Sequence, residues 1–115
     1  MLDRRSEKRN FLLFYARVFD TQSNLQIGNL VDITSVGAML ITPTPVPIGV
    51  DFDLKLELSA EVADIPFMEI SAHSLWCRAD IDPSLYNSGF KFLDVSPENA
   101  IIIQNIVNTF GFRDN

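Results

Sequence analysis

From position 50 to position 58 the chain reads Val-Asp-Phe-Asp-Leu-Lys-Leu-Glu-Leu, with apolar and charged residues alternating without a break. A period of two places all the apolar side chains on one face of an extended strand and all the charges on the other. No helix can separate them that way. One half-buried strand needs partners and a core to cover its apolar face, so the run commits the chain to a sheet or a barrel. Other segments supply candidate partners. Residues 11–20 are rich in aromatic and branched side chains and read as a strand. Within residues 21–25, Ser23-Asn24 predicts a hairpin turn into a second strand over 26–33. Residues 34–37 form a tight turn into a third strand, 38–42. Residues 67–78 alternate again, with Met68, Ile70, Ala72 and Trp76 assigned to one face. Residues 88–93 supply a sixth strand, with Phe90 and Phe92 sharing a side.

Between the third and fourth strands lies Pro43-Thr44-Pro45-Val46-Pro47-Ile48-Gly49. Each proline lacks a backbone donor, so the stretch is a loop. The C-terminal part has a different period. Ser96-Pro97-Glu98 gives an N-cap, a proline at the first helical position and an acid near the positive end of the helix. Ile103, Ile106, Val107 and Phe110 recur at helical spacing, and Gly111 is the expected stop. The chain has 115 residues, enough for one core. The expected fold is all-β: a six-stranded antiparallel barrel plugged by a C-terminal helix over 97–110. Closure would remove the exposed edges of its short strands.

Several function classes fit poorly. No apolar run approaches the ~18 residues of a membrane span, and the charged start has no signal-peptide layout. Cys77 is the only cysteine, which fits a reducing cytoplasmic setting without disulfides. A net charge of −6 disfavours a binder of polymeric nucleic acid. The charge is unevenly spread, however. Residues 1–9 hold four basic side chains (Arg4, Arg5, Lys8, Arg9) against two acids, and the remaining chain holds five against thirteen. A short basic patch on an acidic body suits a compact anion.

Catalytic and metal-binding constellations are sparse, so no catalytic residue and no metal ligand is assigned. His73 is the only histidine, expected on the outer face of its strand, and Cys77 lies only four residues away. That is too little for a zinc site. Asp51 and Asp53 share a strand face about 7 Å apart, and unbroken alternation makes that a solvated face. Trp76 and Cys77 are read as core or near-core residues. No glycine-rich phosphate loop precedes a helix.

Two short motifs remain. Arg5-Ser6-Glu7-Lys8-Arg9 is an Arg-x-x-x-Arg with Arg4 beside it. Guanidinium forks match phosphate oxygens and the O6/N7 edge of guanine. Asp32-Ile33-Thr34-Ser35-Val36-Gly37 is an Asp-x-Thr-x-x-Gly between two strands. Asp32 and Thr34 have the same parity, and a carboxylate can accept from guanine N1–H and N2–H₂. Gly37 permits positive φ and close approach of a ligand. Taken singly, each motif also reads as a basic terminus or a self-satisfied turn.

Together, in this order and one hairpin apart, the motifs resemble the PilZ domain family, bacterial receptors for cyclic di-GMP. The family pattern is Arg-x-x-x-Arg before the first strand, then Asp/Asn-x-Ser-x-x-Gly after the second. Thr34 stands in the serine position, and Ala38 stands where many relatives carry a second glycine. The tryptophan late in strand five, Gly89-Phe90-Lys91-Phe92 in strand six and the C-terminal helix extend the likeness over nearly the whole chain. The resemblance implies a non-enzymatic receptor that needs no cofactor. Its ligand, cyclic di-GMP, would be held by Arg4, Arg5, Arg9, Asp32, Thr34 and Gly37. It further implies residues 1–10 as a flexible switch segment on a barrel domain of 11–115, a cytoplasmic setting, and a protein partner in motility, exopolysaccharide or adhesion control. The alternatives are a PilZ-like adaptor that binds protein and no nucleotide, and, ranked lower, a carrier of an apolar ligand inside the barrel. Nine phenylalanines and Trp76 argue for a filled interior instead.

Overall fold

The structure, a computed structural model, describes residues 16–110. Arg4, Arg5, Arg9, the first part of the expected 11–20 strand and Gly111 lie outside the described residues. The elements are β1 (Arg17–Asp20), β2 (Gln26–Ile33), β3 (Gly37–Thr42), β4 (Asp51–Glu57), β5 (Phe67–Ala79), β6 (Tyr86–Phe92) and α1 (Pro97–Phe110). The strands close into a barrel in the order β1-β2-β3-β6-β5-β4. Every neighbouring pair is antiparallel. The expected barrel and helix are therefore both present.

Local chemistry sets the turns. Asn24 takes the left-handed conformation at φ 62°, and Asp20 satisfies the loop by accepting from the backbone of Gln22 and the hydroxyl of Ser23. This is a turn that asparagine tolerates and a branched residue would not. At α1, the Ser96 hydroxyl accepts from the Asn99 N–H at 3.1 Å, the expected N-cap bond.

Alternation then fills the barrel. In β4, Leu54 and Leu56 point inward, while Asp51 and Asp53 are exposed. Inward residues from all six strands, among them Val18, Leu30, Leu40, Leu56, Met68 and Phe92, form one cluster that also takes in Val46 and Ile102, Ile103 and Ile106 of α1. Each fully buried side chain of this kind stabilises the fold by roughly 1.5–3 kcal/mol relative to exposure. Thr42 pairs with Tyr86 and Gly37 with Lys91, so β3 and β6 finish at opposite ends of the barrel. The proline loop leaves from one end and buries Val46; the helix follows from the other and buries its isoleucines. Among the described residues the interior keeps a gap of only about 10 Å³, lined by side chains such as Val18, Leu40 and Met68. That is at most the space of one water, so this gap has no room for the guest of the carrier reading. Among the described residues no helix is long and apolar enough to cross a membrane.

Strand β5 departs from strict alternation. Ser74 pairs with Phe90 and Trp76 with Gly89, so Leu75 is an extra residue in a β-bulge. The insertion reverses the parity of the residues after it. Met68, Ile70, Ala72 and Ser74 face inward, whereas Trp76 joins the outer face and is only half-buried. The expectation that Trp76 shares the core face of Met68 is thus corrected. Cys77, half-buried, receives a weak bond from the Ser88 hydroxyl at 3.4 Å.

Ser74, 1% exposed, fastens the proline loop to this bulge. Its hydroxyl donates to the Pro47 carbonyl at 2.6 Å and accepts from the Val50 N–H at 3.1 Å. Ser74→Ala leaves both backbone groups without that partner. We expect a loss of about 1–2 kcal/mol, seen as a Tm lower by roughly 5–15 °C in a thermal melt. An unchanged Tm would mean that Val46 burial and the backbone bonds of Ser74 with Gly49 and Val50 hold the loop without the hydroxyl.

Candidate functional site

The Asp-x-Thr-x-x-Gly stretch spans the end of β2 and the turn into β3. A register shift between Leu30 and Asp32 marks a bulge just before it. Bulges re-aim side chains, and here Asp32 and Thr34 both end exposed on the outer side while Ile33 is buried. The turn closes through the Thr34 N–H, which donates to the Gly37 carbonyl at 2.8 Å. One Asp32 oxygen, Oδ1, accepts from the Ile33 N–H at 2.9 Å. The Thr34 hydroxyl oxygen accepts from the Val36 N–H at 3.2 Å, which leaves its proton available to donate. Partial desolvation against the strand raises the Asp32 carboxyl above its ordinary value, and the Ile33 N–H offsets this only in part.

Gly37 serves differently from the sequence expectation. Gly49 is the described glycine with positive φ, at 76°, and Gly37 is not in that region. What Gly37 lacks is room, because a Cβ built there would collide with the Phe90 carbonyl oxygen. Its function is to let β3 lie close against β6 and to keep the sheet surface bare at that point. Ala38 follows as an ordinary strand residue, facing the core opposite Phe90.

Register carries the site across the sheet in two rows on the outer face. Thr34 leads to Gly37, then Lys91, His73 and Asp51. Asp32 leads to Met39, then Gly89 and Trp76. The Trp76 indole lies over Gly89, where any Cβ would strike the ring, and the Arg78 guanidinium stacks on that ring at 4.7 Å. Met39, Trp76, Arg78 and Asn87 line a surface depression of about 320 Å³. Another depression of about 410 Å³, lined by Asp53, Glu69, Asp94 and Ser96, carries the opposite charge character and would repel an anion.

His73 does lie on the outer face, with Nδ1 2.6 Å from an Asp51 oxygen, and Asp53 accepts from the Ser71 hydroxyl at 2.9 Å. Asp51 and Asp53 are both exposed, as a solvated face requires. His73 and Cys77 have different partners, Asp51 for the one and Ser88 for the other.

The family model of the PilZ domain matches residues 3–109. The chain belongs to the PilZ family. Solved PilZ structures share its fold. The PilZ domain of YcgR from Escherichia coli, solved with c-di-GMP, superposes with a TM-score of 0.60 at 17% identity, covering 84% of this chain and 81% of that one. YcgR from Escherichia coli in complex with c-di-GMP gives a TM-score of 0.62, again at 17% identity, over 84% of this chain and 41% of that one. MrkH of K. pneumonia in its apo state gives 0.63 at 17% identity, over 84% of this chain and 45% of that one. The chain thus spans under half the length of these two larger relatives. No curated protein sequence matches it.

On this PilZ barrel, Asp32, Thr34 and Gly37 of the sequence-derived set come together at one hairpin end. The three arginines of the set lie outside the described residues. Trp76, Met39, Gly89 and Lys91 complete the same face and were not singled out from sequence as site residues. The available signal was small: a glycine in an otherwise bulky strand, which marks a close approach by something large.

Proposed function

We propose that the protein is a receptor for cyclic di-GMP, with the ligand seated on the outer face of β2, β3, β6 and β5 at the Asp32–Thr34 hairpin end. The observation that carries the reading is the bulged hairpin itself. It turns a carboxylate and a hydroxyl outward beside a bare glycine and a half-exposed aromatic, on the part of the sheet that also carries the cations Arg78 and Lys91. Family membership supports it, as does the c-di-GMP bound by the YcgR domain.

Asp32 accepts from guanine N1–H and N2–H₂, an edge that adenine does not offer. The Thr34 hydroxyl donates to the ligand, and Gly37 forms the floor. A base that stacks on Trp76 takes the place of the Arg78 guanidinium on that ring. Arg5 and Arg9, with Arg4 beside them, take phosphate and the guanine O6/N7 edge. Charge-assisted hydrogen bonds contribute roughly 1.5–3 kcal/mol each, and micromolar binding needs about −8 kcal/mol. Four such bonds supply about 6–12 kcal/mol before ordering costs, so apolar contact with the barrel face has to add to them. Residues 1–10 act as the switch segment that closes over the ligand, and the fixed segment is what a protein partner in the bacterial cytoplasm reads. The receptor performs no chemistry on its ligand.

One observation favours the adaptor reading. Asp32 and Thr34 already bond the local backbone, so the turn stands without a ligand. Calorimetric titration with cyclic di-GMP, with GTP and cyclic di-AMP as controls, separates the two. We expect saturable micromolar binding of cyclic di-GMP alone. Absence of heat and of saturation at millimolar dinucleotide would overturn the receptor reading.

A further inference from the structure

The described residues hold four lysines and arginines, and three of them are occupied. Arg17 forms a two-pronged pair with Glu57, at 3.0 and 2.6 Å. Lys55 lies over the Phe67 ring at 4.7 Å, and Arg78 lies over Trp76. Lys91 is exposed, and among the described residues it has no ion pair, hydrogen bond or ring contact. An uncompensated ammonium on a chain of net charge −6 is unexpected on charge grounds alone.

Two neighbours account for it. On one side of Lys91 in the register stands Gly37, whose missing side chain leaves the lysine stem free to lean toward Thr34. On the other stands His73, and the next acid along that row, Asp51, is engaged by His73 at 2.6 Å. Strands lie about 4.8 Å apart, so Asp51 is within reach of a lysine two strands away were it not so held. His73 engages one oxygen, Oδ1, of the acid nearest to Lys91 in that row.

We propose that Lys91 is a further binding residue, which holds a phosphate of the cyclic dinucleotide from the barrel side. His73 acts as a positioning residue that keeps Asp51 away from it. This rests on the receptor reading.

The test is calorimetry of the full chain with cyclic di-GMP at low and high salt, beside thermal melts. Lys91→Met should bind about tenfold more weakly, with a flatter salt dependence. Lys91→Glu should lose about a hundredfold. Lys91→Arg should keep the parent affinity, and Lys55→Met, on the far side of β5, should also match the parent. His73→Leu should weaken binding several-fold, with recovery when Asp51→Asn is added, a coupling that a solvated surface lysine would not produce. All variants should melt with the parent. Should Lys91→Met and Lys91→Glu titrate like a parent that itself binds, the assignment of Lys91 fails and the receptor reading stands. A parent that does not bind overturns both.

Discussion

Replacing Arg5 or Arg9 by alanine will abolish measurable binding of cyclic di-GMP and leave the melting temperature of the barrel where it was. The described part of the chain carries twelve acids against four lysines and arginines, and three of those bases are already engaged. It cannot neutralise a doubly charged ligand by itself. Residues 1–9, with their surplus of basic side chains, are the remaining source of positive charge that the family pattern assigns to the ligand. Each guanidinium supplies a planar fork, and two charge-assisted bonds lost together cost about 3–6 kcal/mol. That is a factor of roughly 10² to 10⁴, which moves a micromolar Kd to about 0.1–10 mM and, over the upper part of that range, beyond a millimolar titration. Among the described residues the core is drawn from positions between Ala16 and Ile106, and neither substituted position belongs to it. Arg9→Lys keeps the charge and loses the fork, so it should retain only part of the affinity. Titration curves of both alanine variants that overlay the parent would refute the role given to this motif.

The fold was legible because its signals are local. Unbroken alternation in residues 50–58, prolines in 43–49 and the Ser96-Pro97 start of the helix each name an element without reference to any other, and the matching elements are β4, a loop and α1. The helix runs Pro97–Phe110, over the span its periodicity marks. The features that depend on a partner strand could not be read this way. The bulge at Leu75 leaves no mark in the sequence, since Trp76 at even spacing from Ala72 looks inward until one residue is inserted in the count. The same holds for Gly37. Positive φ is the local reason to place glycine in a turn, but the reason here is the Phe90 carbonyl, contributed by a strand fifty residues on. Asp32 and Thr34 were legible as a pair because parity within one strand is local. Lys91, Met39 and Trp76 were not, because only register sets them beside that pair.

Asp32→Asn should cost about a hundredfold or more in affinity for cyclic di-GMP while the protein melts no lower than its parent at neutral pH. Asparagine keeps the shape and one oxygen, so the 2.9 Å bond from the Ile33 N–H survives. It replaces the second acceptor by an NH₂ group that confronts guanine donors with a donor. The charge that strengthens both contacts is lost as well. The stability half of the expectation comes from the raised carboxyl of Asp32, whose chief cause is desolvation. A raised carboxyl means that the folded chain tolerates the ionised form less well than the unfolded chain does. Its contribution therefore favours folding at low pH and is lost as pH rises through the folded-state value. The asparagine variant escapes that loss. Its advantage in thermal melts should be visible near pH 7 and vanish below the ordinary aspartate value of 3.8, where the parent carries a proton in both states. An asparagine variant that binds as tightly as the parent, or one that melts lower at pH 7, would show that the carboxylate serves the turn and not the guanine.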